Sequence, residues 1–264
     1  MGPTTEGPGR TAAEEFYDRL APDYDAMTDF EKRFAAARPH FRALVERHGI
    51  RTAVDAGAGT GFHSLVLARL GVDVTAVDLS AAMLSRLEEN ARALGLPVRI
   101  LRSSFADLPA SMHGSCDAVF CLGNTLAHLL SRAELLGSLR TFRGLLRPGG
   151  VLLTQTLNYD RILRSRDRVQ SIREAGGDTF IRFYDFEDPL IRFNVLKISR
   201  REGRIAHELH AVPLRPVTAG ELAGLLGEAG FARVGLYGSV SMEEFQPGAS
   251  ADLVALAEAG SPPA

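Results

Sequence analysis

The sequence predicts an α/β protein with a doubly wound, mostly parallel sheet and an inserted antiparallel cap. Three observations lead to this prediction. Short apolar strands alternate with helical segments over residues 51–157, which is the pattern of a parallel sheet covered by helices. A glycine-rich turn follows the first strand. Beyond residue 158, apolar and polar residues alternate with a period of two, as they do in antiparallel strands with one buried face.

The N-terminal part is predicted to be helical. Residues 13–27 form a helix that Pro22 interrupts, and residues 30–48 form a second helix with apolar side chains at helical spacing. We then expect strands at 52–56, 72–77, 98–102, 117–122 and 151–157, and helices at 62–70, 81–94 and 132–146. Ser80 suits the N-cap of the second of these helices, and Pro148-Gly149-Gly150 ends the third.

The antiparallel insertion is predicted to be a meander that follows the fifth strand. Its strands are expected at 178–186, 190–200 and 204–214, with turns at Asp188-Pro189 and Glu202-Gly203. A helix at 218–229 and strands near 231–238 and 251–257 then complete the fold. We therefore expect a disordered tail (1–12), a helical lid (13–50), a cofactor-binding core (51–157), the cap (158–215), a C-terminal completion of the core (216–258) and a second tail (259–264).

Composition argues against several classes of function. The net charge of −2 gives no electrostatic attraction for nucleic acid, no apolar run reaches the length of a membrane span, and the first ten residues do not resemble a signal peptide. Cys116 and Cys121 lie on or beside an apolar strand, which indicates buried thiols in a reducing compartment. The histidines lack the spacing of metal ligands. We expect a cytoplasmic protein without a metal, one that could form oligomers.

The most informative motif is Ala-Val-Asp-Ala-Gly-Ala-Gly-Thr-Gly at residues 53–61, followed by an apolar strand that ends at Asp78. Glycine lets the backbone turn tightly and approach a ligand that a Cβ atom would keep away. An acid at the end of the next strand can accept hydrogen bonds from both hydroxyls of a ribose. The motif predicts a nucleoside across the turn, with the backbone of Gly57, Ala58 and Gly59 facing it. The alternative is that Asp78 only caps the next helix.

The acid before the turn distinguishes two kinds of nucleoside. Dinucleotide sites favour a Gly-Xaa-Gly-Xaa-Xaa-Gly turn that faces a pyrophosphate, whereas here the glycines alternate and Asp55 precedes them. A carboxylate repels a pyrophosphate and suits the ammonium and sulfonium of S-adenosylmethionine. The arrangement resembles motif I of class I S-adenosylmethionine-dependent methyltransferases. Asp55 is expected to act on the ammonium directly or through water, unless it merely caps the turn.

Two further segments narrow the resemblance. They are Phe-Cys-Leu-Gly-Asn-Thr-Leu-Ala-His-Leu at 120–129, and the run from Leu-Arg-Pro-Gly-Gly to Leu-Asn-Tyr-Asp-Arg-Ile-Leu at 146–163. Together with Phe-Tyr-Asp-Arg-Leu-Ala-Pro-Asp-Tyr-Asp near the N-terminus, they resemble the glycine and glycine/sarcosine N-methyltransferases over most of the chain. The resemblance implies a sheet of seven strands, with S-adenosylmethionine as the cofactor.

The resemblance also implies roles at the reaction centre. The carbonyl of Leu122 is expected to accept a hydrogen bond from the cofactor ammonium, and Asn124 to orient the nucleophilic atom of the acceptor. His128 is expected to bond to Asn124 or to the substrate, with a structural histidine as an equal alternative. Asn158 and Tyr159 follow the fifth strand and are expected, with Asn124 and Leu157, to contact the substrate. Tyr159 is expected to face the cofactor or substrate across the pocket.

The adenine and the lid involve further residues. By resemblance, the adenine is held by the segment after the third strand, which contains Ser104 and Phe105. Leu79 and Met83, which follow the second strand, are expected to pack on the adenine, with a place in the ordinary core as the alternative for Met83. Many relatives carry Asp or Asn at the position of Ser104, and a serine hydroxyl gives a neutral, weaker contact. Phe105 stacks on the base or packs in the core. Tyr17 and Tyr24 either close over the cofactor or belong to the core of the N-terminal helix.

One departure from the family changes the expected substrate. Members that use glycine carry an Arg immediately before Asn-Tyr-Asp, where it pairs with the substrate carboxylate, but here that position is Leu157. An aliphatic side chain cannot replace the bidentate fork of Arg. Either Arg182, Arg192 or Arg215 of the insertion takes over, or the acceptor is not a small amino acid. We favour the second interpretation.

The sequence therefore predicts an enzyme that transfers a methyl group from S-adenosylmethionine to a small-molecule acceptor, at nitrogen and not to glycine itself. The alternative within the superfamily is an O-methyltransferase that acts on a natural-product or other metabolite scaffold. Two hypotheses from other classes are a nicotinamide-dependent oxidoreductase, against which the glycine spacing and Asp55 argue, and a binding protein without catalytic activity.

Overall fold

The computed structural model describes residues 11–201 and 204–260, which contain two β-sheets. The larger sheet has seven strands in the order β10-β11-β5-β4-β1-β2-β3, and the smaller has four in the order β6-β7-β8-β9. Strands β1 to β5 are parallel, while β11 pairs antiparallel with both β5 and β10. The predicted α/β fold with a seven-stranded, mostly parallel sheet and an antiparallel insertion is confirmed.

The elements have the following bounds. The helices are α1 (Ala12–Thr28), α2 (Phe30–His48), α3 (Phe62–Arg69), α4 (Ala81–Leu94), α5 (Arg132–Leu145), α6 (Tyr159–Ser165) and α7 (Ala219–Glu228). The strands of the larger sheet are β1 (Thr52–Ala56), β2 (Asp73–Asp78), β3 (Arg99–Arg102), β4 (Cys116–Cys121), β5 (Leu146–Leu157), β10 (Phe231–Tyr237) and β11 (Asp252–Ala259). Those of the smaller sheet are β6 (Val169–Ala175), β7 (Asp178–Glu187), β8 (Leu190–Arg201) and β9 (Arg204–Leu214).

The core explains why the central strands are apolar on both faces. Every residue of β4 is buried, because helices cover both sides of the sheet. One cluster joins the sheet to α5 and α7, and another joins its opposite face to α2 and α3. The strand order reverses between β1 and β4, and ligands of open α/β sheets bind outside the carboxyl ends of the strands at such a point.

The cap differs from the sequence prediction in one strand. The Arg-rich stretch after β5 is helix α6, and it leads into β6, a strand that the prediction omitted. The side chains of β6 alternate between exposed and half-buried positions, so no run of buried apolar residues marks the strand. The predicted turn at Glu202-Gly203 lies outside the described residues, as do residues 1–10 and 261–264 of the predicted tails.

Two predicted boundaries were wrong. Pro22 does not interrupt the first helix, because α1 continues through it. Pro22 is exposed, and the buried side chains of Phe16, Leu20 and Met27 hold the helix on both sides of it. Strand β5 begins directly after α5 at Leu146, so the Pro-Gly-Gly segment belongs to the start of the strand.

Helix α1 lies between the two sheets and contacts both of them. Its apolar residues pack with the inner face of the cap around Phe180 and Tyr184. Its acidic residues reach the larger sheet and the cap. Glu14 pairs with Arg102 at the end of β3 at 2.9 Å, and Asp23 pairs with Lys197 of β8 at 2.7 Å. This position puts α1 over the carboxyl ends of the central strands.

Candidate active site

A cavity of about 910 Å³ lies between α1, the glycine-rich turn and the carboxyl ends of the central strands. This volume is at the upper end of the range for small-molecule sites, roughly 300–1,000 Å³. Twelve of the residues that the sequence analysis assigned to the site line it: Tyr17, Tyr24, Gly57, Ala58, Gly59, Asp78, Leu79, Met83, Ser104, Phe105, Leu122 and His128. The fold thus brings together residues that are more than a hundred positions apart.

The glycine-rich turn forms one wall of the cavity. Gly57 has a φ of +83°, and a Cβ atom there would lie 2.4 Å from Cγ2 of Thr125. Gly59 also has a positive φ, +55°, but a Cβ atom there would meet no protein atom within 4 Å. Gly57 is therefore required for packing against the segment after β4, whereas Gly59 leaves its backbone open toward the cavity.

Asp78 closes the turn from the opposite strand. Its Oδ2 accepts a hydrogen bond from the backbone N–H of Gly59 at 2.8 Å, and its Oδ1 accepts from that of Ser80 at 2.9 Å. Burial raises the pKa of Asp78, and these two hydrogen bonds oppose that shift. Helix α4 is capped by Ser80, whose hydroxyl accepts from the N–H of Met83 at 3.0 Å, so Asp78 is not its cap. Asp78 lines the cavity, and each of its carboxylate oxygens retains capacity to accept a further hydrogen bond.

Asp55 does not line the cavity, so its carboxylate does not contact a ligand there directly. The side chain is 0% exposed, and its Oδ2 accepts a hydrogen bond from Ser64 Oγ at 2.6 Å. Oδ1 is buried without a partner in the described part of the chain. Burial raises the pKa of Asp55 to about 6. The carboxylate lies beneath the turn because β1 ends there with all its inner residues buried.

The predicted adenine end has a polar and an aromatic side. Ser104 lines the cavity, and its Oγ donates a hydrogen bond to the carboxylate of Asp107. Asp107 therefore contacts the serine but does not itself line the cavity. Phe105 lines the cavity and also packs edge-to-face on Phe142, with ring centres 5.0 Å apart. Phe105 thus packs in the core and is also exposed to the cavity, so the two alternatives predicted for it do not exclude each other. Met83 is 1% exposed and forms part of the same wall.

At the end of β4, Asn124 connects the sheet to helix α6. Its backbone has a left-handed φ of +69°. Its Oδ1 accepts from the backbone N–H of Leu157 at 3.1 Å, and its Nδ2 lies 3.0 Å from the hydroxyl of Tyr159. Tyr159 is 0% exposed, and burial raises its pKa far above the ordinary value. The prediction that Tyr159 faces the pocket is corrected: its hydroxyl fixes Asn124, which is itself half-buried and not on the cavity wall.

The His128 side chain is hydrogen-bonded to helix α1 and not to Asn124. A short 3-10 turn, Thr125–His128, connects the two residues, with Asn124 just before it and His128 as its last residue. Because this turn is not a regular α-helix, the two side chains do not share a face. The His128 Nε2 lies 2.9 Å from the hydroxyl of Tyr17. Burial lowers the pKa of His128 to about 4 and raises that of Tyr17 well above its usual value. Both groups are therefore neutral at pH 7, and the phenol donates to the imidazole when Nδ1 carries the proton.

Two predicted substrate residues lie off the cavity. Asn158 is 0% exposed and caps helix α6, where its Nδ2 donates to the carbonyls of Pro247 and Ser250. The prediction of a substrate role for Asn158 is corrected, because its side chain is fully used in this local structure. Leu157 is half-buried and packs against the cluster shared by α1 and the cap.

Sequence reasoning missed a polar group beside Leu157. Asp252 of β11 is its register partner, and side chains of directly paired residues share a face of the sheet. Burial raises the pKa of Asp252, and a hydrogen bond from Gln155 and the charges of Arg161 and Arg33 lower it. Gln155 in turn accepts from the N–H of Gly123 at 2.7 Å. Only the pairing of β5 with β11 brings these residues together, so no motif in the sequence could reveal them.

The residues present fit S-adenosylmethionine. Gly59 offers an open backbone, Asp78 a carboxylate at the cavity wall, and Leu122 a strand end at the same point. The unpartnered oxygen of Asp55 lies under the turn and gives the site a negative charge that suits a cationic ligand. Among residues 11–201 and 204–260, no group of three or more His, Cys, Asp or Glu side chains is arranged to hold a metal. No helix in that part of the chain combines the length and apolarity needed to cross a membrane.

Comparisons with known proteins agree with this geometry. Residues 53–150 match the model of a family described as a methyltransferase domain. The chain is similar to a glycine/sarcosine N-methyltransferase of Parasynechococcus marenigrum, with 31% identity over 89% of this chain and 80% of the relative. A second such enzyme, from Halorhodospira halochloris, is 32% identical over 85% of this chain and 82% of the relative.

The fold has solved counterparts as well. The CcbJ methyltransferase of Streptomyces caelestis superimposes with a TM-score of 0.74 and 25% identity, over 93% of this chain and 98% of that one. The similarity to the enzyme of Parasynechococcus marenigrum covers 237 residues, well beyond the matched domain at residues 53–150. The chain belongs to the family of glycine/sarcosine N-methyltransferases and is an S-adenosylmethionine-dependent methyltransferase.

Proposed function

We propose that the enzyme methylates a nitrogen atom of a small-molecule acceptor other than glycine. The relatives named above support nitrogen as the acceptor atom. The observation that carries the exclusion of glycine is Leu157, which stands where glycine-using members carry an Arg and has Asp252 as its register partner. Behind the cavity wall at this point there is an aliphatic side chain and a carboxylate, so a substrate carboxylate next to the reacting nitrogen would find no cation from this position. A buried charge without a partner costs several kcal/mol.

The side chains of the site would act mainly by orientation. S-adenosylmethionine supplies an activated methyl group on a sulfonium, so proximity and alignment remain the task of the protein; well-oriented pairs gain roughly 7–11 kcal/mol. Asn124 lies behind the cavity wall and would act indirectly: its bonds to Tyr159 and to the backbone of Leu157 fix the segment whose residues Gly123 and Thr125 line the cavity. The helices of residues 13–50 would serve as the lid, with the Tyr17–His128 hydrogen bond as its contact with the reaction centre.

The protonation state of the acceptor follows from the weak bases at the site. Burial lowers the pKa of His128 to about 4, so its ring would be a poor acceptor for the proton of an ammonium. An amine acceptor would therefore have to arrive neutral. The rate should rise with pH along the titration of the acceptor itself, and His128→Ala should retain measurable turnover. Complete loss of turnover, with the fold and cofactor affinity intact, would instead identify His128 as the base.

An untargeted search for products tests the proposal most directly. The purified protein is incubated with isotope-labelled S-adenosylmethionine and a metabolite extract, and labelled products are identified by mass spectrometry. Fragmentation then distinguishes methylated nitrogen from methylated oxygen. The expected product is an N-methyl compound. A labelled methyl ether would favour the alternative, an O-methyltransferase acting on a metabolite scaffold, and no labelled product with cofactor bound would favour a binding protein.

Glycine, sarcosine and dimethylglycine at millimolar concentration provide a second measurement. Because each carries a carboxylate next to the nitrogen, turnover should be at least about a hundredfold below that on the true acceptor. Leu157→Arg should raise the activity on glycine, while Leu157→Met, which retains an apolar wall, should not. Rapid turnover of the wild-type enzyme on any of the three would mean that another Arg binds the carboxylate.

A further inference from the structure

Arg182 lies on the inner face of the cap, toward α1. It stands between Phe180 and Tyr184 on β7, which are 2% and 1% exposed, and alternate residues of a strand share one face. Its Nε donates to the hydroxyl of Ser171, its register partner on β6, at 2.7 Å. Phe180 and Tyr184 pack with Phe16 of α1 in one cluster. A half-buried guanidinium is thus held between the cap and the lid.

The neighbouring cations of the cap have carboxylate partners, and Arg182 does not. Arg173 of β6 pairs with Asp29 at 2.7 Å, and Lys197 of β8 with Asp23 at the same distance. The other two cap arginines considered from the sequence are also paired, Arg192 with Glu187 and Arg215 with Glu221. In the described part of the chain, no carboxylate lies within 4 Å of Arg182.

The free part of Arg182 is its terminal fork. Among residues 11–201 and 204–260, Nε alone has a hydrogen-bond partner, and the two terminal nitrogens are not among the buried polar atoms that lack one. Such a fork is shaped to donate two parallel hydrogen bonds to a carboxylate or a phosphate. Because the side chain is half-buried, water satisfies it less completely than it would satisfy a surface Arg. The arrangement therefore favours an anionic ligand over an empty site.

Arg182 stands behind the part of the cavity wall that Tyr24 and Arg33 form. Arg33 donates to the carbonyl of Thr28 at 3.4 Å, and the next residue, Asp29, pairs with Arg173 of β6, the strand whose Ser171 holds Arg182. The charge of Arg182 opposes the rise that burial causes in the pKa of Tyr24, and burial together with the charge of Arg33 lowers the pKa of Arg182. The guanidinium carbon of Arg33 lies 4.3 Å from the ring centre of Phe62. Arg33 likewise has no carboxylate within 4 Å in the described residues.

We propose that Arg182 and Arg33 form an anion subsite beyond Tyr24, which binds a carboxylate or phosphate group of the methyl acceptor. The proposal rests on the proposed function and deepens it. Leu157 supplies no cation at the position from which relatives bind a carboxylate next to the nitrogen, so the anionic group stands at the other end of the molecule. The acceptor is then an amine whose negative charge is separated from the nitrogen by several bonds, which excludes α-amino acids.

A binding experiment tests the subsite without knowledge of the acceptor. The full chain saturated with S-adenosylhomocysteine is titrated calorimetrically with propionate, with inorganic phosphate and with propionamide as the neutral match of propionate. At least one anion should bind, and propionamide should not. Arg182→Met should weaken that binding by about tenfold to a hundredfold, the scale of a lost charged hydrogen bond. Arg182→Lys, which retains the charge but not the fork, should restore part of it.

Two further variants distinguish a specific anion site from a non-specific effect of positive charge. Arg192→Met removes an exposed cation that is already paired with Glu187, and it should leave anion binding unchanged. Arg33→Met should weaken binding in the same direction as Arg182→Met. Affinity for S-adenosylhomocysteine should stay within about threefold in the variants at Arg182 and Arg192, which also reports that they are folded. Thermal unfolding checks the fold of Arg33→Met, because Arg33 lines the cavity itself.

An activity experiment uses paired acceptors that differ only in charge. β-Alanine and γ-aminobutyrate are compared with their amides, and glucosamine phosphate with glucosamine, so that carboxylate and phosphate are distinguished. For each pair that reacts, the anionic member should have a KM about tenfold lower or more. In Arg182→Met this preference should disappear while kcat remains nearly the same, since the subsite is remote from the reacting nitrogen.

The outcomes separate this proposal from the proposed function. Absence of anion binding by the wild-type complex, or equal binding by Arg182→Met, overturns the subsite even if methyl transfer to nitrogen is found. Anion binding that depends on Arg182, with methyl transfer found only at oxygen, overturns the nitrogen assignment and leaves the subsite standing. If none of the amine pairs reacts, the calorimetric result alone decides.

Discussion

The two halves of the cavity are built in different ways. The cofactor half consists of backbone and of side chains within one βαβ unit: the turn at Gly57 and Gly59, and Asp78 at the end of the next strand. The half proposed for the acceptor takes side chains from distant parts of the chain, among them Tyr17 of α1, His128 after β4 and Val212 of β9. The comparison predicts that local structure holds the cofactor common to the family, while long-range assembly selects the acceptor.

This difference determines which substitutions should affect which ligand. Changes in the turn should alter stability and cofactor affinity for any acceptor, because the backbone itself is shaped there. Changes in the acceptor half should leave the cofactor bound and alter only turnover or choice of acceptor. The following four predictions, in order of decreasing expected effect, can break that distinction or sharpen it.

Gly57→Ala should have the largest effect. Its Cβ atom would lie 2.4 Å from Cγ2 of Thr125 at a φ of +83°, so overpacking of about 1–3 kcal/mol adds to about 1–2 kcal/mol of left-handed strain. The free energy of unfolding, measured in urea, should fall by about 2–5 kcal/mol. Gly59→Ala is the matched control, since its Cβ meets no protein atom within 4 Å. Equal losses in the two variants would contradict the packing argument.

Asp55→Asn should change how stability depends on pH. The folded pKa of Asp55 is raised to about 6 from 3.8, so the folded state holds the proton more tightly than the unfolded state. The carboxylate therefore costs stability above pH 6, on the order of 3 kcal/mol, and this cost disappears as pH falls toward 4. Wild type should lose stability relative to Asp55→Asn as the pH is raised from 4 to 8 in urea titrations.

The same titrations with saturating S-adenosylhomocysteine connect Asp55 to the ligand. If the buried oxygen acts on the ammonium of the cofactor through the turn, the bound cation favours the carboxylate and should reduce the pH-dependent difference. Parallel curves for wild type and Asp55→Asn without ligand would show that the raised pKa is wrong. An unchanged difference with ligand would show that Asp55 serves only the turn.

Asp78→Ala should weaken the binding of S-adenosylmethionine and S-adenosylhomocysteine by about 1.5–3 kcal/mol, the scale of lost hydrogen bonds to a charged group. Asp73→Ala at the opposite end of the same strand is the control, because Asp73 is exposed and bonds only to Arg99. Calorimetry of both variants gives the comparison. NAD should not bind to either protein or to the wild type; tight binding of NAD without heat from S-adenosylmethionine would refute the assignment of the cofactor half.

Tyr17→Phe should have the smallest effect of the four. It removes the hydrogen bond between the Tyr17 hydroxyl and His128 Nε2, 2.9 Å long, which contributes about 0.5–1.5 kcal/mol. We expect kcat/KM to fall about threefold to tenfold, with cofactor affinity nearly unchanged. The double variant Tyr17→Phe/His128→Ala should be no worse than His128→Ala alone, since both single changes remove one interaction. Fully additive losses would mean that the two residues act separately.

The sequence predicted the parts of the fold that are local. Alternating strands and helices, the turn from Gly57 and the acid Asp78 each appear in a short stretch, because neighbouring residues determine strand, turn and cap. The same reasoning failed where packing overrides a local preference. Pro22 remains inside α1 because Phe16 and Met27 on either side of it are buried.

The site was predicted least well where distant strands meet. Asp252 and Leu157 share a face because β11 pairs with β5, and neither segment contains a sequence pattern that predicts this pairing. Tyr159 was expected in the pocket on the strength of the motif, yet its position after β5 turns it inward, where it supports Asn124. Motifs thus identified residues that belong to the region of the site, while burial decided which of them can reach a ligand.

The attachment of α1 also makes the enclosure of the cavity dependent on ionic strength. Three of its links are ion pairs across the junctions: Glu14 with Arg102, Asp23 with Lys197, and Asp29 at its C-terminal end with Arg173. The partners are in contact, well inside the screening length of about 8 Å at physiological salt, but partly exposed pairs still lose strength as salt rises, by at most about 1 kcal/mol each. The apolar contacts of α1 are not weakened in this way. We therefore expect high salt to loosen the hold of α1 on the site only modestly, and to do so through residues other than those proposed to hold the ligands.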